Sequence, residues 1–586
     1  MPGGLLNIIS HGSANIILTG NPTKTFFKVA YSKYTNFGMQ KFRLDYEGSR
    51  ELRLTEPSVY TFKMKRYGDL LMDTYLVVNL PNIWSPIWMP SGATGVASGN
   101  GNYWSPYEFK WIEDLGAQMI SSIEVQAGSV TIQRYSGQYL SAMVQRDFTK
   151  EKRDLFDKMS GNTTDLNDPA NNPDRVATSP FLQNTYPTAK FQGSFRPNTI
   201  TPDWFSPNNL TSSVSNINNT LGAEPSIRGR TLYIPLNLWF AMDSRCAFPL
   251  ISTQYVELTI QITLRPIQEL FRIRDVFNIS NMPLPQQNIG YDTLFRGPYM
   301  QPNFMYEQCL MYRFLQPPTS TDLSTKNYNT AVNTWNADVH LLATYCFLSK
   351  EEQELFAAKD QIYLVKDIYE YDFLNLLGSA KVKLNNSNRM VSSWMWFFQR
   401  NDVFLRNEWN NYTNWPYNRT LPNNYIQDPS YNGGVFYITG PYSQANQKDI
   451  LETLGIVFNG DYRETTQPAG VYNYVEKYTR THGNAKDGLY CYNFCLNTDP
   501  REYQPSGAIN MSKFKTVELA VTTFLPPIDT SGANVNIACN DMGTPISISS
   551  KPPWALYQYS YNMHLMEEQY NILSFVGGNC GLMYAR

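Results

Sequence analysis

Apolar positions recur at every second residue along most of this chain, in short runs separated by turn residues. Val59 to Met64 alternates, Gly68-Asp69 turns the chain, and Leu70 to Leu80 is a longer apolar run that stops at Pro81. Gln118 to Gln126 alternates, Gly128-Ser129 turns, and Val130 to Arg134 returns. Leu232 to Phe240 and Tyr255 to Leu264 flank Pro249. Val339–Leu348, Ala380–Leu384, Val391–Phe398, Gly434–Ile438, Leu489–Leu496, Phe514 toward Phe524, Trp554–Met566 and Tyr570–Val576 complete the series. Aromatic and β-branched residues at period two, bounded by Gly, Pro, Asn and Asp, are the signature of strands. One helix interrupts them. Ser349-Lys350-Glu351-Glu352 reads as a capping box, in which Ser349 caps a backbone N–H and Glu352 reaches back. Leu355, Phe356 and Lys359 follow at helical spacing.

Between the strands lie stretches without period. Residues 1–25 form an arm whose end is marked by Asn21-Pro22, and Thr25 to Val29 resumes a sheet-like pattern. Residues 81–107 are rich in Gly, Ser, Trp and Pro, and 161–225 are rich in Asn, Ser, Thr and Pro. Loops of that length are uncommon inside compact domains and usually functional or disordered. Residues 271–335 read as a mixed connector, and further excess chain sits at about 400–450.

Composition narrows the class. At 586 residues the chain is too long for one ordinary core, so two or more modules are expected. Basic and acidic residues number 48 and 50, which leaves no global basic excess to draw the surface onto nucleic acid. The 40 Tyr and 31 Phe favour pleated sheet and supply large burial at interfaces. The seven Cys are scattered; on one strand Cys491 and Cys495 would lie about 13 Å apart at roughly 3.3 Å per residue, too far for a disulfide. They read as free thiols of a protein made in a reducing cytosol. No stretch approaches an unbroken apolar membrane span.

Catalytic chemistry finds no support. The four His (His11, His340, His482 and His564) are isolated, and no HExxH, Walker A, GxSxG or GxGxxG motif is present. Acidic pairs such as Asp360/Asp367 and Glu370/Asp372 read as solvated surface. The basic runs Lys63–Arg66 and Lys150–Arg153 read as strand ends or contacts between subunits. No catalytic residue, cofactor or metal is expected. Eight Asn-x-Ser/Thr sequons, at Asn162, Asn209, Asn218, Asn278, Asn385, Asn411, Asn418 and Asn510, are glycan-acceptor candidates, most of them chance matches in an Asn-rich chain.

A resemblance enters at residues 488–519. A strand breaks at Asp499-Pro500, and the corner Gln504-Pro505-Ser506-Gly507 leads to Asn510, Ser512 and Lys513. Pro505 presets a turn dihedral and Gly507 tolerates positive φ. This segment resembles the strand–corner–strand near the end of the second jelly roll in major capsid proteins of nucleocytoplasmic large DNA viruses. The arm motif Thr19-Gly20-Asn21-Pro22 with Phe26-Phe27 is similar to the same family's N-terminal signature. So are the hairpin at 115–140, with Ala127 in place of a Gly, the run 232–266, the helix at 349 and the tail 570–584.

The resemblance implies an all-β fold of two consecutive eight-stranded antiparallel jelly rolls (a double jelly roll) with long insertions and few short helices. The expected divisions are an arm at 1–25, jelly roll one at 26–266 (insertions 81–107 and 161–225), a connector at 267–335 and jelly roll two at 336–586 (insertion about 400–450). It further implies a capsid protein that forms a homotrimer and then meets neighbouring trimers, penton and minor capsid proteins. The arm would lie on the inner face, toward the internal membrane, and no direct nucleic acid binding is expected. The protein would be made and assembled in host cytoplasm and reside in the virion. Two other readings stay open: a non-shell jelly-roll virion protein, such as a scaffold or spike, and a carbohydrate-binding or carbohydrate-active β-sandwich using its Trp and Tyr as sugar platforms.

Overall fold

The computed structural model describes residues 3–10, 12–47, 51–85, 87–88, 105–106, 108–172, 186, 190–191, 223–274, 299–305, 309–317, 328–385, 387, 389–415, 425–426, 436–437, 447–526, 535–539, 545–550 and 559–584. Most of the insertions expected at 81–107, 161–225 and about 400–450 therefore lie outside the described residues, as do Asn209, Asn218, Asn278 and Asn418.

Among the described residues, sixteen strands carry the four large sheets, eight in each half. In the first half they are β1 (37–44), β2 (58–63), β3 (70–79), β4 (120–127), β5 (130–135), β6 (231–235), β7 (258–264) and β8 (340–348). They build two antiparallel sheets, ordered β1-β8-β3-β6 and β2-β7-β4-β5. In the second half they are β9 (361–376), β10 (379–383), β11 (390–400), β12 (451–458), β13 (461–468), β14 (489–493), β15 (517–523) and β16 (561–576). Their sheets are ordered β9-β16-β11-β14 and β10-β15-β12-β13, also antiparallel. Adding eight to every strand of the first half gives the second. Each half is thus one jelly roll, in which the last strand fits between the first and third.

Alternation explains the faces. β7 and β15 bury every second side chain, and β4 does so from Ile123 onward, as strands with one wet face do. β11 differs, because it is buried on both faces from Val391 to Arg400. Its Trp394, Trp396 and Phe398 enter a core confined to the second jelly roll, with Leu454, Ile456 and Leu519. Its Met395 and Phe397 point the other way, into a larger core that continues through the first jelly roll with Ile123, Ile262 and Leu341. β16 splits likewise: Tyr561, Met563 and Leu565 serve the inner core, and Met566, Leu573 and Phe575 the shared one. One sheet of the second module is therefore the middle layer of the molecule.

The structure corrects several expectations. β8 belongs to the first module's sheet, paired with β1 and β3, and not to the second module where 336–586 put it. The alternation at 361–376 hides a 16-residue strand that the neighbouring helix signal masked. Strand β6 stops at Pro235, which lacks an N–H, and Trp239–Met242 makes a helical turn. Ser349 does precede a helix, Lys350–Ala358, but its side chain makes no cap hydrogen bond, so the capping box does not form. The basic run at Lys150 lies in a helix and not at a strand end. That helix is α2 (150–160), and it follows α1 (137–147), whose Ser136 accepts a hydrogen bond from Tyr139 N at 3.2 Å. The hairpin β12–β13 and the union of 561–576 into one strand were not foreseen either.

α1 starts at Gly137, and space dictates that residue. A Cβ there would stand 1.9 Å from Ala117 O and 2.5 Å from Ile120 O, both backbone atoms. Overpacking costs typically about 1–3 kcal/mol, more when only backbone can yield. Gly137→Ala should therefore lower the thermal unfolding midpoint by several degrees, whereas Gly460→Ala, with nothing within 4 Å of its Cβ but a positive φ, should cost less. Differential scanning fluorimetry of the two variants checks this ranking.

Candidate assembly surfaces and the module junction

α1 lies between the two jelly rolls, and all but one of its eleven residues are buried. Its last turn carries Arg146, fully buried. The guanidinium is satisfied on three sides. Nε and Nη2 donate to both carboxylate oxygens of Asp147, at 2.9 and 2.7 Å. Nη2 also donates to Glu568 Oε1 of β16 at 2.7 Å, and Nη1 to Ser393 Oγ of β11 at 3.2 Å. Ser393 Oγ in turn donates to Glu568 Oε2 at 2.8 Å, Tyr139 OH to Glu568 Oε1 at 2.9 Å, and Thr498 Oγ1 to Asp147 Oδ1 at 2.5 Å. Burial by itself would raise the Glu568 carboxyl. Arg146, Lys366 and the hydrogen bonds from Ser393 and Arg146 outweigh it and hold the group at about 2.

Further polar ties run along the same seam. Gln133 Nε2 donates to Lys366 O at 2.9 Å, and Ser136 N and Oγ donate to Glu370 Oε1 at 2.9 and 2.8 Å. Gly483 N donates to Arg146 O at 2.7 Å. Asn407 Nδ2 donates to the carbonyls of Gln268 and Phe271, both at 2.8 Å, and Trp409 Nε1 to Glu269 O at 3.0 Å. Arg272 pairs with Glu408.

The corner singled out in the sequence works as a staple. Ser506 Oγ accepts from Asn497 N at 2.9 Å and donates to Asn497 O at 2.7 Å, clamping one residue from both sides. Gly507 has φ 141°, and a Cβ there would press on Phe494 O at 3.2 Å. Asn510 pairs in register with Met390 of β11, while its Oδ1 accepts from Ser512 N and Oγ at 3.1 and 2.7 Å. Gln504 and Pro505 are exposed at the apex. The corner therefore ties the chain after β14 back onto β11. Cys491 is buried in β14 and Cys495 just beyond it, both as free thiols.

The arm stands apart from the body. Helical turns at 3–9 and 16–19 are followed by chain without regular structure up to Phe37. Thr19 Oγ1 donates to Asn15 O at 2.7 Å, Gly20 N to Ile16 O at 2.9 Å, and Asn21 adopts φ 49° ahead of Pro22. Phe26 and Phe27 are 84% and 97% exposed, so their contacts are not with this chain's own core. The charge of this region is legible in the sequence. Residues 1–44 hold Lys24, Lys28, Lys33, Lys41 and Arg43 and no Asp or Glu. The buried junction, by contrast, had no sequence signal, since its members lie up to 429 residues apart.

Of the described sequons, Asn411 is buried with its side chain engaged at Trp415 O and Thr413. Asn162 is occupied by Asp114 N, Asp157 and Asn167. Asn385 is exposed on a turn, and Asn510 is half-buried in the corner.

Removing one partner of a buried ion pair leaves an uncompensated charge, typically about 3–5 kcal/mol. Arg146→Ala should therefore cost more than any surface Arg→Ala, read as a shift in urea midpoint. The pH dependence follows from Glu568. Its folded value lies below its ordinary 4.5, so it adds stability that is complete above 4.5 and is lost as pH falls through the folded value. Urea titrations from pH 6 to pH 2 should show that loss, and Glu568→Gln should start less stable and flatten this part of the profile.

Comparison with known proteins follows the same division. A model described as "Major capsid protein N-terminus" matches residues 25–306, and one described as "Large eukaryotic DNA virus major capsid protein" matches 349–581. The major capsid protein of Chrysochromulina ericina virus is 30% identical over 48% of this chain and 44% of its own length; that of Phaeocystis pouchetii virus is 29% identical over 46% and 42%. The chain thus matches somewhat less than half the length of these relatives. The major capsid protein of Paramecium bursaria Chlorella virus 1 is 22% identical over the full length of both. Among solved structures, the Faustovirus major capsid protein superimposes with TM-score 0.57 at 11% identity, covering 96% of this chain and 94% of that one. A chain of the PBCV-1 virus capsid gives 0.55 at 17%, covering 96% and 100%. These two likenesses speak to fold alone, and the fold is the double jelly roll. With both halves matched in order by the family's own models, the chain belongs to the major capsid proteins of large eukaryotic DNA viruses.

Proposed function

We propose that this chain is the main building block of an icosahedral shell, working as a homotrimer. The observation that carries this reading is the repeated strand order of two modules packed through one shared core. Two like blocks held rigidly side by side, taken three times about an axis, give six similar blocks and a near-hexagonal outline. Such units tile a surface, and sandwiches leave their loops free to vary. The chain is structural and not an enzyme, as its relatives are named capsid proteins.

We place the module boundary at 348/349, because β8 completes the first sheet and the second family model begins at 349. The corner at 504–512 serves as a structural staple of module two. The arm, with Thr19–Pro22 as its bend and Phe26-Phe27 as its apolar grip, reaches neighbouring trimers, minor capsid and penton proteins and the internal membrane. Its three lysines, Lys24, Lys28 and Lys33, without an acidic side chain up to residue 36, suit an anionic lipid surface. Assembly takes place in the host cytoplasm, and among the described sequons Asn385 is the one best placed to carry a glycan.

Light scattering on the purified protein should give three times the 67.2 kDa chain mass; a stable monomer overturns the trimer. In co-sedimentation, the full chain should pellet with phosphatidylserine-containing vesicles at low salt and less as salt rises. A chain lacking residues 1–36 should stay in the supernatant while keeping its oligomeric mass.

A further inference from the structure

Lys486 and Asn410 meet at the junction in an arrangement that ordinary packing does not require. Asn410 follows β11 and Lys486 precedes β14, 76 residues apart in the chain. Lys486 Nζ contacts both the backbone carbonyl and Oδ1 of Asn410. Its head group sits 3.7 Å from the centroid of the Tyr412 ring, which stacks on Phe397 at 4.1 Å. So a primary amine touches a side-chain carboxamide against an aromatic wall.

A buried carboxyl group from the other module acts electrostatically on the same lysine. Asp114 is buried and held at φ 55° between the strand at 108–111 and the turn at 115–118. Its Oδ2 accepts from Ser141 Oγ of α1, and its Oδ1 is buried without a hydrogen-bond partner. Asp114 lies within electrostatic reach of both Lys486 and Tyr412. Glu113 and Arg153 are the other charges that act on Lys486, and Arg153 Nη1 is engaged at Asn484 O, 2.8 Å away.

The bland alternative is a lysine held by an asparagine. Two features go beyond it. An ammonium has no lone pair, but burial pushes Lys486 down to about 7, so free amine is present near neutral pH. Burial likewise raises Asp114 to about 6, which leaves it able to hold and pass a proton.

We propose that Lys486 and Asn410 become joined by an isopeptide bond, with Asp114 as the proton carrier. The Nζ lone pair forms a bond to Cγ of Asn410, and the Cγ–Nδ2 bond breaks. Asp114 takes a proton from Nζ and delivers one to Nδ2, and ammonia leaves. No oxidant or second reactant is needed. The two reacting groups sit on module two and the proton carrier on module one, so the bond forms only after the modules dock. It closes a long loop within module two, next to the segment at 483–484 that contacts α1 and α2. This inference is independent of the trimer.

Intact-mass spectrometry of the full-length protein, held at neutral pH, tests it. The expected mass is one ammonia below that of the sequence, with a branched tryptic peptide joining the segments around residues 410 and 486. Lys486→Arg should restore the full mass while keeping the positive charge. Asn410→Asp should lose water in place of ammonia. Asp114→Asn, if its circular dichroism matches the wild type, should show the full mass. A wild-type chain of full mass, with both residues in separate linear peptides, overturns the bond. So does an ammonia loss without the branched peptide, and undiminished cross-linking in Asp114→Asn overturns the role of Asp114.

Discussion

The molecule depends on the centre of one sheet, β11 and the adjoining part of β16, being buried from both sides. β9-β16-β11-β14 has its own sandwich partner on one face and the first jelly roll on the other. A sheet so placed cannot use polar residues on a solvent face, and β11 reads accordingly: MVSSWMWFFQR, with large side chains on both sides of the strand. Each fully buried aromatic contributes roughly 1.5–3 kcal/mol of transfer free energy, and this middle layer concentrates them. The relative placement of the two modules is therefore set by core packing and not by a hinge. Inter-domain contacts within chains are usually smaller and more polar.

The charges at the seam act on top of that apolar contact. Hydrophobic packing is tolerant of sliding, because apolar surface has no direction. Arg146 is directional. Its fork must find Asp147, Glu568 and Ser393 together, and a shift of about one strand residue, roughly 3.3 Å, would leave buried ions unpaired. Such a cluster adds little net stability over an apolar replacement, but it penalises every wrong register. For a unit that must present the same outline in every copy, that penalty matters more than the stability.

The strand pattern made most of the sandwich legible, because alternation is a local property. β2, β3, β4, β5, β7, β8 and β15 all lie where period two places them, to within a few residues. Failures occurred where a local signal had two readings. Residues 350–376 carry a true helix followed without a break by β9, and the helix signal absorbed the strand. α1 was lost because Tyr139, Leu140, Met143 and Val144 follow a convincing hairpin. β8 was assigned to the wrong module because its partners, β1 and β3, lie some 270 to 300 residues upstream, and nothing in a strand names its neighbours. The candidate surfaces divide the same way. The corner at 504–512 was visible because Pro505 and Gly507 are local backbone devices. The Arg146 cluster and the Lys486–Asn410 contact were invisible, since each is assembled from segments that only the finished fold brings together.

The arm supplies the last constraint, and it concerns what the single chain leaves undone. Between Leu5 and Tyr34, twelve large apolar side chains are more than half exposed. Scattered exposed hydrophobics are normal on any surface, but a contiguous series is not. Ordering such a segment costs backbone and side-chain entropy, which its short helical turns cannot recover by themselves. The burial that would offset that cost lies outside this chain, because the body's cores are already filled by its own strands. Among the described residues, the arm is thus the longest stretch whose large apolar side chains the fold leaves exposed. A chain whose sixteen strands close two sandwiches while a basic, aromatic arm stays bare is built to be completed by a surface other than its own.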